Sequence, residues 1–402
     1  MILQDTLRAV LREPPPPPPE SEVARALARA IPRASAQAVI LTGVRRCGKS
    51  TLLSQLLRRG GPSAFVNFED TRLFGLGPED FSSFLSVLDE ARPGPAAVGL
   101  DEVQEVPEWQ RLVRALLDRR KTVLVTGSNA SLLGKEVGVR LTGRHLSFEV
   151  HPFSYAEYLT WSRRPAGEAS LRTWLDDGGF PPYLRERRDE ILRELLRDII
   201  QRDIASRHGL REIRHVLNLA LFLLANTGQP FSLRRLARTL SVPTVSQASR
   251  YLEYLQDAYL LLALPKFSPS FRQRVISPAK YYAVDNGLRR ANSPQTTPDL
   301  GHRIENAVYL ELRRRGARPA WAGESDLWEC DFVTDEAAIQ VCAELTRTSA
   351  VRELAGITRA AALPGTRKRR ALILTLRQSD HMTVDGRPVE VTPAWKWLAD
   401  GR

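Results

Sequence analysis

The chain has 402 residues, 43% hydrophobic and 26% charged, which suits a globular protein of two or three domains and excludes a disulfide-stapled miniprotein. Its longest candidate for a membrane-spanning segment, Leu217 to Ala225, is far too short. A net charge of +12 favours polyanionic partners such as nucleic acid; the excess is 51 Arg to seven Lys, and a GC-rich coding sequence gives the same skew.

In chain order, Leu3, Leu7, Val10 and Leu11 recur at helical spacing over 2–12, and Pro14 to Pro19 then exclude helix. The prolines read as a polyproline II spacer of about 19 Å at ~3.1 Å per residue. The short helix docks on its own domain or on a neighbouring subunit. Residues 1–19 form this piece. Met1 to Arg12 lacks the basic-then-apolar order of a signal peptide.

From 20 to 165 amphipathic helices alternate with apolar strands at Val39–Thr42, Ala64–Asn67, Ala97–Leu100, Thr122–Thr126 and His145–Val150. Such alternation predicts an α/β domain with a parallel sheet covered on both faces. Between the first strand and the helical run Thr51–Arg59 lies Gly43-Val44-Arg45-Arg46-Cys47-Gly48-Lys49-Ser50, which is G-x-x-x-x-G-K-[ST]. Glycines let the backbone N–H groups curl around phosphate oxygens, Lys49 reaches the β/γ phosphates, and Ser50 offers a hydroxyl to Mg²⁺. ATP and Mg²⁺ are the cofactors this implies, held by residues 43–50 and Thr51. Cys47, beside a helix N-terminus and two arginines, is expected to have a lowered pKa and to react when the site is empty.

The strand Ala97–Leu100 ends in Asp101-Glu102, which places Asp101 toward Mg²⁺ and Glu102 where it deprotonates the attacking water. A base in that position means hydrolysis. Thr126-Gly127-Ser128-Asn129 follows the next strand, so Ser128 and Asn129 sense the γ-phosphate or form an ordinary turn. Arg140 and Arg144 precede the last strand and complete a neighbouring subunit's site as arginine fingers, Arg144 above all, or form a solvated face.

The runs GVRRCGKST, VNFEDTRL, LDEVQEVPEWQ, VTGSNASLL, RLTGRHLSFEVHPFSYAEYL and GGFPPYL resemble prokaryotic AAA-type ATPases whose C-terminal half is a domain of unknown function called DUF4143. The resemblance covers nearly all of the chain after the prolines. It implies an AAA+ ATP hydrolase active as a homo-oligomer, such as a hexameric ring, with a site shared between subunits. Glu69-Asp70 becomes an accessory acidic pair near the nucleotide.

A helical lid or linker is expected over 166–227 and a winged-helix-like domain over 228–290. There Phe231–Leu240, Ser241-Val242-Pro243 and Thr244–Asp257 read as helix, turn and helix, with Tyr259–Leu264 as a wing strand. The similar family members carry a winged helix here. Ser246, Gln247, Ser249 and Arg250 would face DNA, with Arg234, Arg235 and Arg238 on its phosphates. The alternative is a packing domain.

Over 291–402, Glu305, Asp331 in Trp328–Val333 and Gln340 in Ala338–Cys342 follow an order similar to the PD-(D/E)xK nuclease fold. An active copy would use Asp331 and Gln340 on a metal and a lysine to hold water. Cys342 occupies the lysine's place, so no nuclease activity is expected, and metal-dependent cleavage abolished by Asp331→Ala would overturn that. Two basic runs, Arg313, Arg314, Arg315 and Arg367, Lys368, Arg369, Arg370, are then candidate DNA-backbone contacts or solvated faces.

Cys47, Cys330 and Cys342 show no CxxC spacing, which fits a reducing cytoplasm. The leading expectation is an ATP-driven motor on branched or recombining DNA, serving recombination or repair; the alternative is a slow nucleotide-controlled switch of a defence or regulatory system that binds DNA or a protein.

Overall fold

The computed structural model describes residues 2–19, 22–59, 61–94, 96–128, 141, 143–293, 300–324, 327–363 and 369–400. The chain divides into two compact units, Met1–His151 and Pro152–Arg402.

In the first unit, β1 (Ala38–Thr42) is buried along its whole length, as an all-apolar run must be when both faces of a parallel sheet are covered. Around it stand β2 (Ser63–Asn67), β3 (Ala97–Asp101), β4 (Thr122–Gly127) and β5 (His145–Glu149), in the order β2-β3-β4-β1-β5 and all parallel. The five expected strands are therefore present, each within a residue of its expected bounds. Because β4 separates β1 from β3, the carboxyl ends of these three strands lie side by side.

The N-terminal helix α1 (Gln4–Arg12) buries Leu7, Val10 and Leu11 in the same core as Phe84, Leu85 and Leu88, so it docks on its own unit. Residues 14–19 have no helix or strand. Arg58, just past the end of α2 (Lys49–Leu57), donates to the Pro16 carbonyl at 2.9 Å.

In the second unit, α3 (Arg214–Ala225) precedes β6 (Pro230–Phe231), α4 (Leu233–Thr239) and α5 (Val245–Asp257). The Thr244 hydroxyl caps α5 by accepting from the Gln247 N–H at 3.1 Å. Next come β7 (Leu261–Leu264) and β8 (Ala279–Ala283), which pair antiparallel in a small sheet of order β6-β8-β7. Helix, turn, helix and wing strand thus occur in the expected order, but Phe231 lies in β6 and not in the first helix, and the wing strand begins at Leu261 and not at Tyr259.

The C-terminal module pairs α6 (Leu300–Arg314) and α7 (Arg347–Ala361) with a mixed sheet of β9 (Ala320–Glu324), β10 (Trp328–Val333), β11 (Ala337–Val341), β12 (Arg370–Thr375), β13 (Asp380–Val384) and β14 (Arg387–Pro393). The strand order is β13-β14-β12-β11-β10-β9, with β11, β12 and β14 parallel. Ile357, Ala360 and Ala361 of α7 close one face against Cys330, Ala338 and Ile373.

Candidate nucleotide site

Residues 43–50 bridge the end of β1 and the start of α2, and two of their glycines are fixed by geometry. Gly43 has φ +148°, and a Cβ there would stand 2.1 Å from the Val150 carbonyl oxygen. Gly48, at φ +100°, is the left-handed residue that opens α2. Arg46 also takes a positive φ of 64°, which a side chain adopts only at some cost. Lys49 is buried, and its ammonium donates to the Gly43 and Val44 carbonyls at 3.1 and 3.2 Å. In this state it satisfies the loop's own carbonyls from inside the curl.

Asp101 ends β3 and is buried. Its carboxylate accepts from the Thr126 hydroxyl of β4 at 2.5 Å and from the Ser50 hydroxyl. Burial pushes its pKa up to about 6 from 3.8, against those two donors, while the charge of Glu102 adds to the rise. Ser50 and Asp101 are hard oxygen donors joined across the loop, a pair whose chemistry fits Mg²⁺. Glu102 sits next to them at φ 54°, its N–H 3.0 Å from the Thr126 hydroxyl oxygen and its carboxylate accepting from the Gln104 amide at 2.5 Å. Thr126 therefore braces both acidic residues.

The raised Asp101 pKa has a sign that can be worked out. Below about 3.8 the group is protonated whether folded or unfolded; above about 6 the folded state must hold a buried carboxylate, so stability falls as pH rises between the two values. Asp101→Asn is expected to melt higher than the unaltered chain at pH 7, by roughly 3 kcal/mol from two pKa units. The gain should vanish near pH 4, and thermal melts at the two pH values check it.

Cys47 corrects an expectation. Its side chain turns inward and its thiol donates to the Val150 carbonyl at 3.2 Å. Burial raises its pKa and outweighs the lowering by Lys49 and Arg25. Iodoacetamide should leave Cys47 unlabelled in the folded chain and label it only after unfolding, as mass spectrometry of the peptides would report.

Ser128 is buried after β4; Asn129 and Arg140 lie outside the described residues. The Arg144 guanidinium is 2.9 Å from Asp118 of its own chain. Glu69 stands 3.9 Å from Arg45 of the phosphate loop, whereas Asp70 caps a 3₁₀ turn and binds Arg72.

Arg25 is a contributor that the sequence reading missed. Buried against the loop, it donates to the Cys47 carbonyl at 3.0 Å and to the His151 carbonyl at 2.5 Å. Gln55 of α2 fastens the same segment through the Val23 carbonyl at 2.8 Å. No motif marks it among the arginines of 25–33.

The expected DNA contacts divide into two sets. Arg234, Arg235 and Arg238 on α4 and Ser246 and Arg250 on α5 are exposed. Gln247 donates to the Tyr251 hydroxyl at 2.6 Å, and Arg235 lies over the Phe231 ring. Arg313, Arg314 and Arg315 are half-buried instead. Arg315 donates to Glu311 and to the Trp397 and Asp400 carbonyls, and Arg314 to the Pro152 carbonyl. These two residues, read as surface cations, brace the end of α6. Arg370 pairs with Glu390 at 2.7 Å, Arg369 lies over Phe267, and Lys368 is outside the described residues.

A five-stranded parallel sheet with a phosphate loop after β1 and an acidic pair after β3 defines a P-loop protein of the AAA class, and the family described as AAA domain matches residues 35–159. A second family, described as a domain of unknown function (DUF8612), matches 168–299, where the resemblance had implied DUF4143. An uncharacterized protein of Methanocaldococcus jannaschii is 30% identical over 389 residues, covering 89% of this chain and 87% of the relative. The chain belongs to the family of that archaeal protein. An uncharacterized protein of Haemophilus influenzae is 31% identical over 320 residues, covering 74% of this chain and 79% of its own. Among solved structures, the Aeropyrum pernix ORC1 protein in complex with DNA is similar at 15% identity, with 72% of this chain and 91% of that chain covered and a TM-score of 0.29. No described helix is long and apolar enough to cross a membrane.

Proposed function

We propose that the protein hydrolyses Mg²⁺-ATP between residues 43–51 and the pair Asp101-Glu102, and that it works as a homo-oligomer acting on DNA. One observation carries the reading: the Ser50 hydroxyl, the Asp101 carboxylate and the Thr126 hydroxyl form one hydrogen-bonded chain, with the Glu102 carboxylate next in sequence. When bound, Mg²⁺ would neutralise charge on the β/γ phosphates. Lys49 would exchange its loop carbonyls for phosphate oxygens, and the loop N–H groups would orient the triphosphate. Glu102 would take the proton of the attacking water, and Ser128 would contact the γ-phosphate. Arg144, released from Asp118, would reach a neighbouring copy's site.

DNA is favoured by the +12 charge and by the exposed Arg234, Arg235, Arg238 and Arg250 on the helix-turn-helix. The five segments 1–19, 20–165, 166–227, 228–290 and 291–402 are the functional division in this reading. A second reading, a slow nucleotide-controlled switch, is favoured by the contacts that hold the site at rest: Gln104 on Glu102, Asp118 on Arg144 and the loop carbonyls on Lys49.

Steady-state turnover with duplex, single-stranded and four-way-junction DNA at two salt concentrations separates the two. The motor requires stimulation by one DNA form and binding that weakens steeply with salt. Slow turnover indifferent to every DNA supports the switch.

A further inference from the structure

The C-terminal module carries the Glu, Asp and Gln order that resembles a metal-dependent nuclease, yet an ammonium occupies the middle of that donor set. Glu305 of α6, Asp331 of β10 and Gln340 of β11 do come together, around a cavity of about 430 Å³. The Asp331 N–H donates to the Gln340 amide oxygen at 3.3 Å, and the Val341 N–H donates to the Asp331 carboxylate at 2.9 Å. Into this group projects Lys280 of β8, almost wholly buried. Its ammonium is 2.7 Å from Glu329, 3.3 Å from Glu305 and 3.4 Å from Asp331.

The remaining groups are also engaged. Glu305 accepts from the Tyr282 hydroxyl at 2.6 Å and lies 3.2 Å from the His302 ring. The Gln340 amide donates to Glu353 at 2.5 Å. Among the described residues no group of three His, Cys, Asp or Glu is arranged to hold a metal ion. Burial by itself lowers the Lys280 pKa; Glu305, Asp331 and Glu329 outweigh burial and hold it above the ordinary value. Loss of Lys280 is the costly way to break this cluster, because the buried Glu305 and Asp331 then lose the cation that offsets their charge.

We propose that the Lys280 ammonium stands in place of a divalent cation in this nuclease-like site, which takes no metal while that ammonium is present. The lysine does not come from the position that Cys342 occupies. It comes from β8, whose Lys280 pairs with Leu264 of β7 and Pro230 of β6 in the sheet beside the helix-turn-helix. The cluster thereby ties the wing sheet to the nuclease-like sheet by charge. Removing the ammonium while keeping the carboxylates converts the tie into a cation site.

The test is Mn²⁺ titration of the full chain without nucleotide, followed by electron paramagnetic resonance. In the otherwise unaltered chain, Asp331→Asn should leave Mn²⁺ binding unchanged. Lys280→Gln should gain one site at least about tenfold tighter than any in the unaltered chain, and Lys280→Gln with Asp331→Asn should lose it. Mn²⁺ binding by the unaltered chain that disappears with Asp331→Asn would overturn the proposal and make Lys280 the lysine of a working nuclease site. So would a folded Lys280→Gln that gains nothing. If Lys280→Gln does not fold, the comparison of the unaltered chain with Asp331→Asn still decides.

Discussion

Glu102→Gln is expected to retain ATP and to turn it over ~100- to 10,000-fold more slowly than the unaltered chain, the range that a positioned general base contributes. The substitution isolates one property. Glutamine keeps the length of the side chain and an acceptor for the Gln104 amide, and the backbone N–H keeps its contact with the Thr126 hydroxyl. The left-handed conformation at φ 54° is unchanged in cost, because both residues carry a Cβ. Only the basicity is lost. Nucleotide retention by filter binding and phosphate release measured together check it: equal losses in both would assign Glu102 to binding, not to water activation.

Lys49→Ala is expected to lower ATP affinity by about 100-fold or more, roughly the 3 kcal/mol that a charge-assisted contact with phosphate contributes. It also acts on the loop without nucleotide. The ammonium serves the Gly43 and Val44 carbonyls inside the curl; truncation takes this donor from both and leaves Val44 only the Cys47 N–H at 3.4 Å, at about 1–3 kcal/mol of stability. Titration with a fluorescent nucleotide reads the first effect and a thermal melt reads the second. Affinity that survives in a folded variant would move the phosphate elsewhere.

The candidate nucleotide site was legible because each of the tasks proposed for it is local. A glycine at a left-handed position, a lysine at the start of a helix and an acid at the end of an apolar strand are all recorded within a few consecutive residues. The first-unit strands were legible for the same reason, being buried on both faces. At the other end of the chain, β13 reads Asp380-His381-Met382-Thr383-Val384, largely exposed at the sheet edge, and β14 carries Pro388 and Pro393. Neither has the apolar run that announces a strand.

What the sequence hid was contact across distance. Cys47 was misjudged because its neighbours along the chain are cationic, whereas its neighbour in space is the Val150 carbonyl. Arg25 lies 22 positions before the carbonyl that it braces. Lys280 stands 25 and 51 positions from Glu305 and Asp331. A lone lysine in Ala279–Ala283 beside two tyrosines was the available signal, since a lysine in an apolar strand is seldom buried without a partner.

The central claim is that this chain hydrolyses ATP where residues 43–51 meet Asp101 and Glu102. The most direct measurement is phosphate release by the unaltered chain, Lys49→Ala and Glu102→Gln, side by side in ATP and Mg²⁺, with and without DNA. The account predicts release by the unaltered chain alone, with Glu102→Gln binding ATP and Lys49→Ala failing to bind it. Release that continues undiminished in Glu102→Gln would contradict it.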